Sequence, residues 1–171
     1  MSSWSFGKNE VIAWIKQNFP QGSTCLDVGP CDGRWWYFLH DYLTMDAVEI
    51  YKPYIDVYEL KNKYREVINA DVADLLYPNG YDLIIFGDVI EHMPVDKAQK
   101  VLDYASKHCN KIIVAVPFLY KQGPMRGNKY EEHIQDDLTP ELFNERYPGF
   151  TMIYNAFGRY AYYVKDGDKH V

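Results

Sequence analysis

His92 and His133, with Asp88 and Glu91 just ahead of the first, are the side chains of this sequence best suited to moving a proton. Imidazole titrates near neutrality, so either histidine could take a proton from a hydroxyl or an amine during a group transfer. An acid, a second acid three residues on, an adjacent histidine and a distant histidine could equally surround one divalent ion. The structural alternative for each histidine is a cap or a hydrogen-bond donor. A second set of residues suits binding. In the run Thr24, Cys25, Leu26, Asp27, Val28, Gly29, Pro30, Cys31, Asp32, Gly33, an apolar stretch ends in a glycine turn. Glycine accepts positive φ and has no Cβ, so a nucleotide-like ligand can approach the backbone where a following helix offers free N–H groups. Cys31 takes the middle place of the usual glycine triplet, and the turn alone also fits an ordinary strand-to-helix connection. Glu49 lies about 20 residues beyond Gly29, where a carboxylate can accept both hydroxyls of a ribose. Asp71 and Val72 could flank an adenine, or Asp71 could cap a turn over Val72 to Leu76.

These residues need elements to hold them together. Val11, Ile12, Trp14, Ile15 and Phe19 recur at helical spacing, which predicts an amphipathic helix over residues 8–19, regular from Lys8 to Asn18 and stopped by Pro20 and Gly22. Strands are expected at Thr24 to Val28, Met45 to Ile50, Glu66 to Asn69, Tyr81 to Phe86 and Lys111 to Val116. Helices are expected from about Gly33 to Asp41, from Pro53 onward, and from Pro94 to His108, whose Val95, Ala98, Val101, Leu102 and Ala105 share one face. Pro78, Asn79 and Gly80 form the turn into the fourth and most hydrophobic strand. Repeated strand-then-helix steps demand a doubly wound parallel α/β sheet with helices on both faces. Asp27, Glu49, Asp71 and Asp88 then fall at or just beyond the carboxyl ends of strands, where such sheets bind ligands.

After Pro117 the pattern changes. Residues 118–137 are too long for a passive connector and read as an active-site loop or lid. Thr139 caps a short helix begun by Pro140 and Glu141, and strands at Phe150 to Phe157 and Tyr160 to Val164 form a hairpin at Gly158, leaving 165–171 as a fraying tail. The hairpin makes the last strand antiparallel.

The 171 residues, 47% of them hydrophobic, suit one domain over 1–171. Charge runs to −6, which disfavours a nucleic-acid partner. Cys25, Cys31 and Cys109 lack paired spacing, and no apolar run suits a signal core or a membrane span, so a cytoplasmic, membrane-free protein is expected, monomer or homodimer.

With the segment Gly87, Asp88, Val89, Ile90, Glu91, His92, Met93, Pro94 after the fourth strand, nearly the whole chain resembles the class I S-adenosylmethionine-dependent methyltransferases, in particular their small single-domain members. The resemblance implies a Rossmann-like sheet of seven strands with the last antiparallel, and S-adenosyl-L-methionine as cofactor. It implies that Asp27, Gly29 and Gly33 lie along the methionine and ribose, with Pro30, Cys31 and Ile50 lining the same site, that Glu49 holds the ribose, that Asp71 and Val72 hold the adenine, and that Asp88 and Val89 lie beside the methionine or adenine end. Cys31 departs from the family's glycine.

The expected reaction is methylation of a small-molecule hydroxyl, such as that of a sugar or glycan precursor, with His92, His133, Asp88 and Glu91 as catalytic candidates. No resident metal is expected. A competing reading of Asp88, Glu91, His92 and His133 resembles the metal site of small-RNA 3′-terminal 2′-O-methyltransferases, whose substrate is an RNA end. A cofactor-binding module without catalysis and a dinucleotide-dependent oxidoreductase would share the same strand–helix start, the oxidoreductase being disfavoured by the glycine spacing. Trp4, Phe6, Trp35, Trp36, Tyr37, Phe118, Tyr120, Tyr130 and His133 are candidates for the acceptor side, against a core role for most of the aromatics. Lys121, Arg126 and Lys129 could meet an acidic group on the acceptor, or be solvated.

Overall fold

The structure, a computed structural model, describes residues 5–75 and 80–168. Trp4, Pro78 and Asn79 lie outside them, as does the end of the expected tail. The strands are β1 (Thr24–Val28), β2 (Thr44–Val48), β3 (Val67–Ile68), β4 (Tyr81–Gly87), β5 (Cys109–Pro117), β6 (Thr151–Ala156) and β7 (Tyr160–Asp166). The helices are α1 (Lys8–Asn18), α2 (Arg34–Leu39), α3 (Lys52–Val57), α4 (Val95–Ser106) and α5 (Pro140–Arg146).

β4 occupies the centre of one seven-stranded sheet ordered β3-β2-β1-β4-β5-β7-β6. Its successive side chains alternate faces, and both faces are dry: Leu83 and Ile85 enter one core, Ile84 and Phe86 the other, all 0% exposed. Each such burial contributes about 1.5–3 kcal/mol, which is why this strand is a continuous apolar run rather than an alternating one. Val11 and Ile15 of α1, Trp35 and Leu39 of α2 and Ile55 of α3 cover the first face, while Ala98, Val101, Leu102 and Ala105 of α4 with Phe143 of α5 cover the second.

β1 through β5 are parallel, β7 runs antiparallel to β5, and β6 pairs antiparallel with β7. The chain crosses one way from β1 to β2 and the other way to β4, so the strand order reverses between β1 and β4. The expected fold is the observed one.

Several boundaries move by one or two residues, and three of the shifts bear on the site or the tail. β2 ends at Val48, leaving Glu49 and Ile50 beyond the strand, although the Glu49 N–H still donates to the Ile68 carbonyl at 2.9 Å. Gly33, at φ 81°, precedes the first turn of α2, which is shorter than expected. The tail does not begin at Lys165: Lys165 and Asp166 pair with Ile112 and Lys111 in β7, and the N–H groups of Gly167 and Asp168 donate to Asn110 and Ser106 carbonyls. Cross-strand pairing continues because Asn110 and Lys111 already belong to the ladder on β5. Residues 169–171 lie outside the described residues.

Gly87 ends β4 against Trp35, whose indole is 2% exposed, and a Cβ there would lie 2.5 Å from Trp35 Nε1. Gly87→Ala should therefore cost about 1–3 kcal/mol, read as a lower urea midpoint at unchanged slope; an unchanged midpoint would contradict this packing.

Candidate active site

The carboxyl ends of β1, β2, β3 and β4 open into a cavity of about 790 Å³, its mouth included. Gly29, Cys31, Glu49, Ile50, Asp71, Val72, Asp88, Val89 and His92 of the expected set line it. Gly29, at φ 64°, lies where an added Cβ would be 3.0 Å from Val89 Cγ2, so the floor between β1 and β4 is open only because this residue has no side chain. Cys31 adopts φ 50° in the same turn, a conformation that favours glycine, and its thiol is pushed up to about 11 by burial, so it is a small wall of the cavity and no nucleophile.

Glu49 is held in place by backbone. Its Oε1 accepts from the Tyr51 N–H at 2.8 Å and its Oε2 from the Cys31 N–H at 3.4 Å. Burial raises its pKa, and those two N–H groups oppose the rise. Carboxylate lone pairs exceed these two bonds, so Glu49 can still accept hydroxyl hydrogens from a ligand. Asp71 is both of the things its position suggested: it lines the cavity, and it caps the turn over Val72–Asp74 by accepting from the Ala73 N–H at 2.9 Å. Its other oxygen receives Lys97 Nζ at 2.6 Å.

Several expected residues do not reach the cavity wall. Asp27, 1% exposed, is within β1 and accepts from the Tyr64 hydroxyl at 2.6 Å, while its second oxygen is buried without a partner. Burial pushes its pKa up to about 7, with the Tyr64 hydrogen bond and the charge of Lys8 opposing. Pro30 and Gly33 sit in the turn but do not line the cavity. Trp35 and Phe118 belong to the core, Trp36 stacks on His40 at 4.2 Å, and Phe6 and Tyr37 are exposed away from the cavity. Of the aromatic candidates among the described residues only Tyr130 lines it. Adjacent helix residues point in different directions, and the dry face of the sheet claimed Trp35.

The catalytic candidates divide. Asp88, at φ 57°, turns its Oδ2 to the Tyr160 hydroxyl at 3.0 Å. Glu91, His92 and His133 instead converge, each offering one ligand atom within 4.8 Å of the others. Asp88 is not in this group, so the four-residue set shrinks to three. His92 Nδ1 lies 3.0 Å from the Glu132 carbonyl and His133 Nδ1 2.7 Å from the Tyr120 carbonyl. A carbonyl only accepts, so each Nδ1 carries the hydrogen and each Nε2 presents a lone pair. Burial drives His92 down to about 4 and lowers His133. Glu91 is fully buried, neither of its oxygens has a hydrogen-bond partner, and burial raises its pKa far above the carboxylate range, with the charge of Asp88 adding to the rise.

No family model and no curated protein matches the sequence. Solved structures do. An S-adenosylmethionine-dependent methyltransferase from Clostridium acetobutylicum superposes with a TM-score of 0.71 at 13% identity, over 93% of this chain and 90% of that one. Magnesium protoporphyrin IX methyltransferase from Synechocystis, with bound S-adenosylhomocysteine, gives 0.59 at 17% identity over 91% and 80%. The 1,6-didemethyltoxoflavin-N1-methyltransferase of Burkholderia thailandensis gives 0.65 at 18% over 92% and 76%. This chain has the S-adenosylmethionine-dependent methyltransferase fold.

Within the methyltransferase fold, the long loop is the part least foreseen. Residues 118–137 are no free lid: the Leu119 N–H donates to Leu138, that of His133 to Gln122, and those of Ile134 and Gln135 to the Glu91 carbonyl. The Gln135 side chain also donates to the Ile90 and Met93 carbonyls at 2.8 and 3.0 Å. Docked this way, the loop delivers Asn128, Tyr130 and Glu131 to the cavity, joined by Tyr54, Met93 and Lys97. Asn128 and Glu131, spaced as cap and third helical residue, are the signal in the sequence that could have marked this turn. Arg126 donates to the Tyr58 hydroxyl at 3.0 Å, and Lys129 lies 5.2 Å from the Tyr130 ring. Among the described residues no helix is long and apolar enough to cross a membrane.

Asp27 carries a pH signature. Its folded-state pKa of about 7 exceeds the ordinary 3.8, so the folded chain holds this proton more tightly than the unfolded chain. Stability from this group is fully present below the ordinary value and is lost as pH rises to about 7. Asp27→Asn should thus gain stability relative to the parent across that window, by up to about 4 kcal/mol. Urea unfolding at the two ends of the window, without ligand, measures it; an equal offset at both ends would be inconsistent with a raised Asp27.

Proposed function

We propose that this chain is an S-adenosylmethionine-dependent methyltransferase that methylates a hydroxyl of a small molecule, of the kind a sugar or glycan precursor offers. The observation that carries the reading is the meeting of Gly29 and Glu49 in one cavity at the point where the strand order reverses. The residues fit the cofactor: the cradle at Gly29 would be filled by a Cβ, and Glu49 is fixed by two N–H groups with accepting capacity to spare. Gly29 and Cys31 would border the cofactor's methionine and ribose, Glu49 with Ile50 the ribose, and Asp71 with Val72 the adenine. When bound, the cofactor supplies an electrophilic methyl group on a sulfonium. The solved structures with this fold include methyltransferases named for a porphyrin and for a toxoflavin precursor, which favours a small acceptor. A net charge of −6 fits a small acceptor better than a polyanion.

The chain's part is alignment, exclusion of water and removal of one proton. His92 Nε2 would take the proton that the acceptor hydroxyl gives up when its oxygen is methylated. His92 is suited to this because its Nδ1–H is anchored on Glu132 and its Nε2 is unprotonated throughout the neutral range.

A second reading rests on Glu91, both of whose oxygens are buried without a hydrogen-bond partner beside two imidazole lone pairs. Glu91, His92 and His133 would hold a divalent cation there, which would supply a Lewis acid for the acceptor hydroxyl.

Calorimetric titration should give binding of S-adenosylmethionine and S-adenosylhomocysteine and none of NAD, with Glu49→Gln weakening both by about 10- to 100-fold. Binding of NAD alone would sink the methyltransferase reading, and cofactor binding with no turnover on a broad acceptor panel would indicate an inert module. The rate should stay level across neutral pH and fall as pH drops toward about 4, where His92 takes up its proton. Metal analysis after purification without added ions decides the second reading: bound metal lost in His133→Ala supports it, and a metal-free enzyme indifferent to chelator overturns it.

A further inference from the structure

Ile90, Glu91 and His92 form a single turn between β4 and α4, with no side chain capping it. Its own hydrogen bonds are long: the His92 N–H donates to the Val89 carbonyl at 3.1 Å and that of Met93 to Ile90 at 3.3 Å. The shorter bonds come from the loop after β5. The Glu91 carbonyl accepts from the Ile134 and Gln135 N–H groups at 2.8 and 3.0 Å, and Gln135 Nε2 donates to the Ile90 and Met93 carbonyls at 2.8 and 3.0 Å. Carbonyls on both sides of His92 are therefore gripped by two neighbouring residues of the loop.

Gln135 is 3% exposed, and its amide is fully used. Its two N–H hydrogens go to the carbonyls of Ile90 and Met93, while its Oε1 accepts from the Tyr147 hydroxyl at 2.9 Å and from Arg146 Nη1 at 3.3 Å, at the end of α5. Carbonyls only accept and a guanidinium only donates, so one orientation of the amide satisfies all four partners. Arg146 is itself fixed by Asp137, which it meets with both terminal nitrogens. The group that orients His92 lies on the same loop: Nδ1–H reaches the Glu132 carbonyl at 3.0 Å, three residues before Gln135. Turn and orienting carbonyl thus keep their register through Ile134 and Gln135.

Resting on the reading that His92 Nε2 is used, as base or as ligand, we propose that Gln135 is the positioning residue of His92: its amide holds the turn that carries the imidazole in register with the Glu132 carbonyl that turns Nε2 outward. The loop that brings Tyr130 to the cavity then also sets the reacting imidazole, and docking of the loop and placement of His92 are one event.

The test is nitrogen NMR of the imidazoles in the full chain, ligand-free and with chelator throughout, for the parent, Gln135→Met and Gln135→Glu, with His92→Gln identifying the signal. The parent should show His92 as a single Nδ1–H form. Both Gln135 variants should show a mixture containing the Nε2–H form, with the Ile134 N–H exchanging about 10- to 100-fold faster, because buried carbonyls lose their donors. Gln135→Glu in mildly alkaline solution keeps the volume and the contacts to Arg146 and Tyr147 but offers the two carbonyls no hydrogen, so it separates the grip on the turn from packing. A merely structural Gln135 would change the melting temperature and leave the His92 tautomer alone. His92 in the parent form in a folded Gln135→Glu overturns the inference and leaves the methyltransferase reading standing. Should neither Gln135 variant fold, Tyr147→Phe, which removes one bond to the amide oxygen, should shift the tautomer in part, and no shift there overturns the inference. An Nε2–H imidazole in the parent overturns it together with the role of His92, and no binding of S-adenosylhomocysteine by the parent chain in a parallel calorimetric titration overturns it together with the methyltransferase reading.

Discussion

A parallel sheet covered on both faces has only its strand ends left for chemistry, and the architecture of this chain follows from that constraint. β4 pairs with β1 on one side and β5 on the other, β5 pairs with β4 and β7, and their apolar side chains go into one of two dry cores. Polar ligands can be met only by the turns that leave the carboxyl edge. The reversal of strand order between β1 and β4 parts two of those turns and opens the floor there, which is why Gly29 and Val89 face each other across it.

The same dryness separates acids that build the fold from acids that await something. Asp46 of β2 is 2% exposed and fully satisfied: Arg65 donates to both of its oxygens at 2.9 and 2.6 Å and the Tyr81 hydroxyl adds a third bond. Asp82, near the start of β4, accepts from the N–H and hydroxyl of Thr24. Both lie toward the amino edge of the sheet. At the opposite edge Asp27 keeps one buried oxygen without a partner and Glu91 keeps two. Asp46 and Glu91 are both buried, so the difference between them is in the hydrogen bonds provided to offset that burial. An acid left uncompensated in a folded chain is one whose partner is a proton or a ligand.

Most of this was legible along the chain wherever position in a regular element decides position in space. β1 falls on its expected residues because the glycine turn ends it, and β4 falls within one residue of its expected end because a doubly buried strand must be an unbroken apolar run. Glu49 could be placed near the rim although β2 ends at Val48 and not at Ile50, because its spacing of about 20 residues from the glycine turn sets it at the carboxyl edge. Aromatic residues were not legible in this way. Trp35 and Trp36 have the same chemistry, and only the helix rotation sent one into the core and the other onto His40. The long loop was legible as important but not as a path. Its course depends on side chains reaching distant carbonyls, such as Gln135 to Ile90 and Met93, and no periodicity encodes such bonds.

The cluster of Glu91, His92 and His133 shows why one geometry supports two chemistries. His92 Nε2 lies 4.0 Å from Glu91 Oε1, close enough for a charge on either group to bear on the other. Burial favours the state in which Glu91 keeps a proton and both imidazoles are neutral. An isolated imidazole pushed down to about 4 is a weak base, but a proton arriving on His92 meets a neighbour whose ionised form it would stabilise. A divalent cation would satisfy the same lone pairs by displacing the proton on Glu91, so proton and cation would compete for one site, and occupancy by the cation would rise with pH. Under the two proposed readings His92 would serve either as the acceptor of the hydroxyl proton or as a ligand, and it could not be both in the same turnover.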